Sequence, residues 1–211
     1  MTPPTTPTVV VLTGPECTGK TTLAEWIARA YDTACSPEYA RAYADAHPIL
    51  GADDVAPIAR GQIASEDAAA AEAAAHGRPL VVRDTDLVST VVYARHYYGA
   101  CPSWIEDAAR ARRGALYLLC APDVPWVADG VRDRPHARDA MLDEFRAALE
   151  SLGGAYIEVR GTRAEREAAV RQAVDGLIVT RDSSPSPTRH PGESRDPTSF
   201  TRVAGSRLSP G

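Results

Sequence analysis

Gly14-Pro15-Glu16-Cys17-Thr18-Gly19-Lys20-Thr21 matches the pattern G-x-x-x-x-G-K-[ST]. The glycines at its two ends permit a tight wrap in which successive backbone N–H groups face one anion, and the helix N-terminus that should follow adds donors and a favourable dipole. Lys20 would reach the β- and γ-phosphates, and the Thr21 hydroxyl would bind magnesium. The expected nucleotide site is therefore Gly14, Pro15, Glu16, Cys17, Thr18, Gly19, Lys20, Thr21 and Thr22. Lys20 is the single lysine among the 23 Lys+Arg residues. Arginine serves at every other basic position, and a compact point charge stands where a phosphate loop needs one rather than a planar fork. A guanine-specifying N-K-x-D motif would need a second lysine, so adenine, and hence ATP, is the expected base.

Three carboxylates fall where such a site needs them. Asp84 and Asp86 follow the apolar run Leu80-Val81-Val82 and should emerge at the carboxyl edge of the sheet, where open α/β folds bind ligands. One suits magnesium and the other substrate or water; in an extended backbone they point to opposite sides and need not share one ion. Glu38 follows a short run at Thr33 to Ser36 and precedes Tyr39 and Arg41. A carboxylate there can orient an acceptor hydroxyl or take its proton, although phosphoryl transfer rests mainly on positioning and charge stabilisation. Tyr39 either stacks on a flat ligand ring or packs against the sheet. The charged stretch Asp129-Gly130-Val131-Arg132-Asp133-Arg134, with Arg138 after it, has the character of a lid whose arginines neutralise developing charge, with Trp126 as its anchor. Arg110, Arg112 and Arg113 read as the polar face of a helix.

The elements that must position these groups alternate along the chain. Val9 to Thr13 is a strand, the loop follows, and Leu23, Trp26, Ile27 and Ala30 have helical spacing. An alanine-rich helix from Ile58 to His76 ends at Gly77 and Pro79. Helices are expected over Leu87 to Tyr98 and Ser103 to Arg113, a strand over Ala115 to Cys120, and a helix over Arg138 to Leu152 with Met141, Leu142, Phe145 and Leu149 on one stripe. Ala155 to Val159 is the last strand, and Thr162 with Glu165 forms a capping box for a helix running to about Ile178. Uninterrupted apolar strands alternating with helices specify an α/β protein. The expected architecture is a three-layer P-loop NTPase fold with a mostly parallel five-stranded sheet between helices, like that of nucleoside and nucleotide kinases.

Composition sets the limits. The chain has 211 residues and a net charge of -5, enough for one domain. The organisation expected is a flexible stretch 1–8, a P-loop kinase domain 9–180 and a disordered tail 181–211, whose five prolines and seven serines show no apolar periodicity. Up to position 180 there are 18 basic and 25 acidic residues, a net charge of -7. That balance argues against a surface built to bind nucleic acid. The four cysteines form no C-x-x-C pair and the histidines no H-E-x-x-H spacing, so neither a zinc nor a redox motif is expected. With no signal-peptide pattern and no apolar run of membrane-spanning length, a cytoplasmic location without membrane contact is expected.

Taken together, the loop, Glu38-Tyr39-Ala40-Arg41, Asp84-Thr85-Asp86 and Trp126-Val127-Ala128-Asp129-Gly130-Val131-Arg132 resemble the ribosylnicotinamide kinase domain of the bacterial NAD-biosynthesis regulator family, an AAA-like P-loop ATPase/kinase domain. The resemblance spans roughly Val9 to Leu152 in the order and spacing of all four blocks. It implies a kinase that uses ATP and Mg2+ to phosphorylate the 5'-hydroxyl of nicotinamide riboside, giving the mononucleotide. By position it implies ATP and magnesium at Gly14, Gly19, Lys20 and Thr21, Asp84 and Asp86 at the metal and riboside site, Glu38, Tyr39 and Arg41 near the acceptor, and Arg132 in the lid. Position after the second strand favours Glu38 as base and Asp84 as metal partner. The catalytic set expected is therefore Lys20, Glu38, Asp84 and Arg132, with Glu38, Tyr39, Arg41 and Asp86 binding substrate and Thr21 and Asp84 binding metal.

Multidomain members of that family carry an adenylyltransferase domain and sometimes a helix-turn-helix before the kinase. Only eight residues precede the first strand here, so this chain is not expected to make NAD or repress transcription by itself. Two other readings stay open: a kinase for another nucleoside or cofactor precursor, and an ATP-binding switch with a protein partner. A closed cavity lined by Glu38, Tyr39 and Asp86 would favour a kinase, and an exposed apolar groove a switch. Spacing leaves the oligomeric state, including a homo-oligomer, undetermined.

Overall fold

The expected strands all form, and all pair in parallel. In this computed structural model, which describes residues 6–124 and 138–182, β1 (Thr8–Thr13), β2 (Cys35–Ser36), β3 (Leu80–Asp84), β4 (Leu116–Cys120) and β5 (Tyr156–Val159) lie in the order β2-β3-β1-β4-β5. Val10 stands opposite Val82 on one side and Leu116 on the other, which places β1 in the middle of the sheet. The crossover leaving β1 runs to β2 at one edge, whereas the crossover leaving its neighbour β3 runs the opposite way, past β1 to β4. The carboxyl end of β1 is therefore a topological switch point, the place where open parallel sheets bind ligands.

Alternation along the strands divides the core in two. Val10, Leu12, Leu80, Val82, Leu118 and Cys120 pack with Leu23, Ala24 and Ile27 of α1 (Lys20–Ala30) and with Val170 and Val174 of α7 (Arg163–Asp182). Val11, Tyr117 and Leu119 point the other way, onto α3 (Val55–Ala75), α4 (Leu87–Tyr98), α5 (Ser103–Ala111) and α6 (Arg138–Leu152). Helices thus cover both faces of an all-parallel sheet. Burial on both faces is what the unbroken apolar strands require.

Three elements differ from expectation. The segment after Glu38 is a helix, α2 (Tyr39–Ala46), whose short run of alanine, tyrosine and charged residues gave no apolar stripe. Helix α3 begins at Val55, not Ile58, because Pro57 lies in its first turn, where no intrahelical partner is lost. The last helix reaches Asp182 and is capped as foreseen, with the Thr162 N–H donating to Glu165 Oε2 at 2.7 Å and the Glu165 N–H to Thr162 Oγ1 at 3.4 Å. Most of the lid, including Trp126 and Arg132, lies outside the described residues, as do positions 1–5 and 183–211.

Candidate active site

The loop between β1 and α1 adopts backbone conformations that its sequence foreshadowed. Gly14 has φ +125°, and a Cβ there would stand 2.6 Å from the carbonyl oxygen of Cys120, so the loop crosses the end of β4 at a distance only glycine allows. Thr18 Oγ1 donates to the Pro15 carbonyl at 2.9 Å, and Lys20 Nζ to the carbonyls of Gly14 at 3.0 Å and Pro15 at 2.7 Å. Lys20 is only 8% exposed, so its ammonium sits inside the curve of the loop. Cys17 holds a left-handed φ of +53°, a conformation that costs a residue with a Cβ of order 1 kcal/mol or more and tends to gather at functional sites.

Asp84 is where the separate motifs meet. It ends β3 on the α1 side of the sheet, 3% exposed, and accepts a hydrogen bond from the Thr21 side chain. Burial pushes its carboxyl above the usual range and the nearby charge of Glu38 adds to that, while Thr21, Lys20 and Arg41 pull it back. One strand end therefore brings together Lys20, Thr21, Glu38, Arg41 and Asp84, residues drawn from three separate blocks of sequence. Asp84 Oδ1 is buried with no hydrogen-bond partner. Magnesium takes hard oxygen ligands, and in phosphoryl-transfer sites it is held by one or two carboxylates plus substrate phosphates. A hydroxyl from Thr21 and a spare carboxylate oxygen from Asp84 fit that requirement. Among the described residues, no cluster of three or more His, Cys, Asp or Glu forms a metal cage of its own.

Asp86 is turned elsewhere. Thr85 between the two aspartates has φ +69°, which swings the chain out of the strand. Asp86 then becomes the N-cap of α4: Oδ1 accepts from the Val88 N–H at 2.9 Å, and Oδ2 from the Tyr117 hydroxyl at 2.8 Å. Burial raises its pKa. Its position corrects the expectation that it would contact the acceptor, because both oxygens are engaged inside the core and the side chain does not line the cavity.

A cavity of about 450 Å3 opens beside Asp84. Glu38 and Arg41 from the start of α2 line it, and so does Glu16 of the loop, which the sequence reading assigned to the nucleotide alone. Tyr39 does not line it. Its ring lies on α3 over Gly61, where an added Cβ would come within 2.0 Å of the ring, so Tyr39 is a packing residue that seats α2. The opposite wall was missed by the sequence reading. Ser89, Thr90, Tyr93 and Tyr97 of α4 share one side of that helix and offer two hydroxyls and two aromatic rings to the cavity. The i, i+4 spacing of those tyrosines was the available signal, and it is indistinguishable from ordinary core packing without the fold. Gln62 was missed too: its Oε1 accepts from the Tyr39 N–H at 3.0 Å and its Nε2 donates to the Thr85 carbonyl at 3.4 Å, bridging α2 to the kink after Asp84.

A phosphate loop at the switch point of a five-stranded parallel sheet, with a buried carboxylate facing it and a cavity alongside, defines a nucleotide-binding P-loop protein with a kinase-like fold. The family model for the AAA domain matches residues 9–166, and the chain belongs to that family. The trifunctional NAD biosynthesis/regulator protein NadR of Escherichia coli (strain K12) is 32% identical over 150 residues, covering 68% of this chain and 35% of that protein. Its counterpart from Salmonella typhimurium is 32% identical over 130 residues, covering 58% and 30%. The chain thus spans about a third of the length of these relatives. A crystal structure of NadR protein in complex with NR superposes with a TM-score of 0.65 at 25% identity, over 88% of this chain and 53% of that one. Thymidylate kinase from Ehrlichia chaffeensis, at 13% identity and a TM-score of 0.57 over 81% of this chain and all of its own, shares the fold. The resemblance to the kinase domain of the NAD-biosynthesis regulators therefore holds in sequence and in architecture. No described helix is long and apolar enough to cross a membrane.

Proposed function

We propose that the chain is an ATP-dependent kinase that transfers the γ-phosphoryl group to the 5'-hydroxyl of nicotinamide riboside, giving nicotinamide mononucleotide and ADP. The observation that carries this reading is the gathering of Glu38 and Arg41 with Lys20 and Thr21 around Asp84, beside a cavity that Glu38 and Arg41 line. Of the three residues expected to line an acceptor cavity, Glu38 does so and Tyr39 and Asp86 do not. A nucleoside kinase needs a cavity of this kind beside the phosphate loop to hold the acceptor.

Lys20 and the loop amides hold the β- and γ-phosphates. Thr21 and Asp84 would hold magnesium, whose charge, when bound, would offset that of the phosphate oxygens. Glu38 orients the acceptor hydroxyl; as the new P–O bond forms and the bond to ADP breaks, the hydroxyl proton passes to its carboxylate. Arg41 offsets negative charge at the acceptor side. Tyr93 and Tyr97 give the cavity aromatic faces suited to a cationic pyridinium ring, and Ser89 and Thr90 give hydrogen-bonding groups suited to ribose hydroxyls. The NadR protein solved with NR is consistent with this choice of acceptor.

The test is ADP release by the purified chain with ATP and magnesium across a panel of nucleosides. Nicotinamide riboside is expected to stimulate release most strongly. Stimulation by a different nucleoside alone would reject the acceptor and keep the kinase, and stimulation by none would reject the kinase.

A further inference from the structure

Arg166 lies on α7, remote in sequence from the phosphate loop and from the Glu38 and Asp84 blocks, and is 5% exposed. A buried guanidinium is costly unless its donors are matched, and here they are matched across three loops at the carboxyl edge of the sheet. Nε donates to the Gly161 carbonyl at 3.0 Å, in the turn between β5 and α7. Nη2 donates to the Ala121 carbonyl at 3.0 Å, just past β4, and also pairs with the Asp123 carboxylate. Nη1 donates to the Thr18 carbonyl at 2.9 Å, inside the phosphate loop. Asp123 Oδ2 in turn accepts from the Gly161 N–H at 2.7 Å, which closes the network.

The Thr18 contact matters because of peptide geometry. A trans peptide is planar and carries its C=O and the following N–H on opposite sides. The described residues contain no cis bond, so holding the Thr18 carbonyl toward α7 turns the Gly19 N–H away from α7. Gly19 is free to accept that orientation at φ +80°. Gly19 is also the residue immediately before Lys20, at the N-terminus of α1, where backbone N–H groups bind phosphate.

We infer that Arg166 is a positioning residue for the nucleotide: it fixes the Thr18–Gly19 peptide so that the Gly19 N–H faces the triphosphate, and locks the phosphate loop to the ends of β4 and β5. It acts through the loop and touches no reacting atom. The inference rests on the proposed function only in taking the loop to bind ATP, and it is independent of the acceptor.

The test uses the full chain, labelled with 15N-glycine, and calorimetric titration with magnesium-ATP. Arg166→Ala is expected to weaken ATP binding tenfold or more and to move the Gly19 amide resonance, leaving the remote Gly77 and Gly99 resonances in place. Because removing a buried charge leaves Asp123 unpaired, Arg166→Met combined with Asp123→Asn provides a second, charge-balanced variant with the same expectation. Arg163→Ala, an exposed change on the same helix, should alter neither readout. Affinity within twofold of the parent, or an unmoved Gly19 amide, in a folded variant overturns the inference. A parent that binds no ATP counts against the proposed function instead, and the Gly19 resonance then still decides the role of Arg166.

Discussion

Glu38 and Asp84 are carboxylates at the same edge of the sheet, and their surroundings suit them to different tasks. Asp84 is buried with a spare oxygen beside Thr21, and its pKa is raised. Protons therefore compete with magnesium for it at a higher pH than for an ordinary aspartate, so the magnesium needed for half-maximal rate should climb as the solution is acidified. Asp84→Asn should raise that requirement tenfold or more and flatten its pH dependence. Glu38 is half-buried at the cavity wall. If it receives the acceptor proton, Glu38→Gln should cut turnover about 10²- to 10⁴-fold, the range of a lost general base, while ATP affinity stays within about twofold. Steady-state rates over magnesium and pH, with ATP titrations, separate the two variants; unchanged turnover in Glu38→Gln would remove the base assignment.

At the scale of elements, what sets Glu38 in place is the seating of α2 on α3. Tyr39 lies over Gly61, and its N–H is held by Gln62 one residue further along the same helix. Gly61→Ala would drive a methyl group into the Tyr39 ring, and the ring would have to lift, carrying the N-terminus of α2 with it. The expected result is a five- to fiftyfold rise in acceptor KM with ATP affinity unchanged, measured by initial rates; Tyr39→Ala combined with Gly61→Ala should recover part of the loss. An unaltered acceptor KM in the single variant would mean that α2 is not seated this way. This contact also marks the limit of what could be read from sequence. The phosphate loop and the strand ends were legible because their chemistry is local: glycines, one lysine and acids directly after apolar runs. Tyr39 against Gly61, Asp86 as a cap, the cavity side of α4 and the reach of Arg166 all depend on which elements become neighbours. Residue type suggested a ligand for Asp86, and only the left-handed Thr85 explains why it caps a helix instead.

For the molecule as a whole, the balance of buried and exposed carboxylates sets the pH at which it is most stable. Glu66 is 1% exposed beneath the site, paired with Arg83 Nη1 at 3.1 Å and Arg112 Nη2 at 3.4 Å. Burial pushes its carboxyl from 4.5 up to about 7, the nearby Asp86 adds to the rise, and the two arginines oppose it. Asp84 and Asp86 are shifted the same way by burial. A carboxyl whose pKa is raised on folding binds more protons in the folded than in the unfolded chain between the two values, so stability falls as pH rises through that window. For Glu66 the window runs from about 4.5 to 7. Asp123 and Glu158 are shifted downward by hydrogen bonds and arginine charge acting against burial, and Glu165 by hydrogen bonds from Thr162, so their contribution is lost only in stronger acid. Acidification also relieves the repulsion of a chain that carries a net charge of -5 at pH 7. The melting temperature should therefore peak near pH 5 and decline toward pH 7.5 by several degrees, since on the order of 2 kcal/mol in a chain of this size moves Tm by about 4–8 °C. Glu66→Gln, which cannot ionise, should flatten the decline between pH 5 and 7 while leaving the acid limb in place. Thermal unfolding followed across that range decides it: a parent curve with no decline, or a variant curve parallel to the parent, would show that Glu66 stays ionised in the folded protein, held by Arg83 and Arg112.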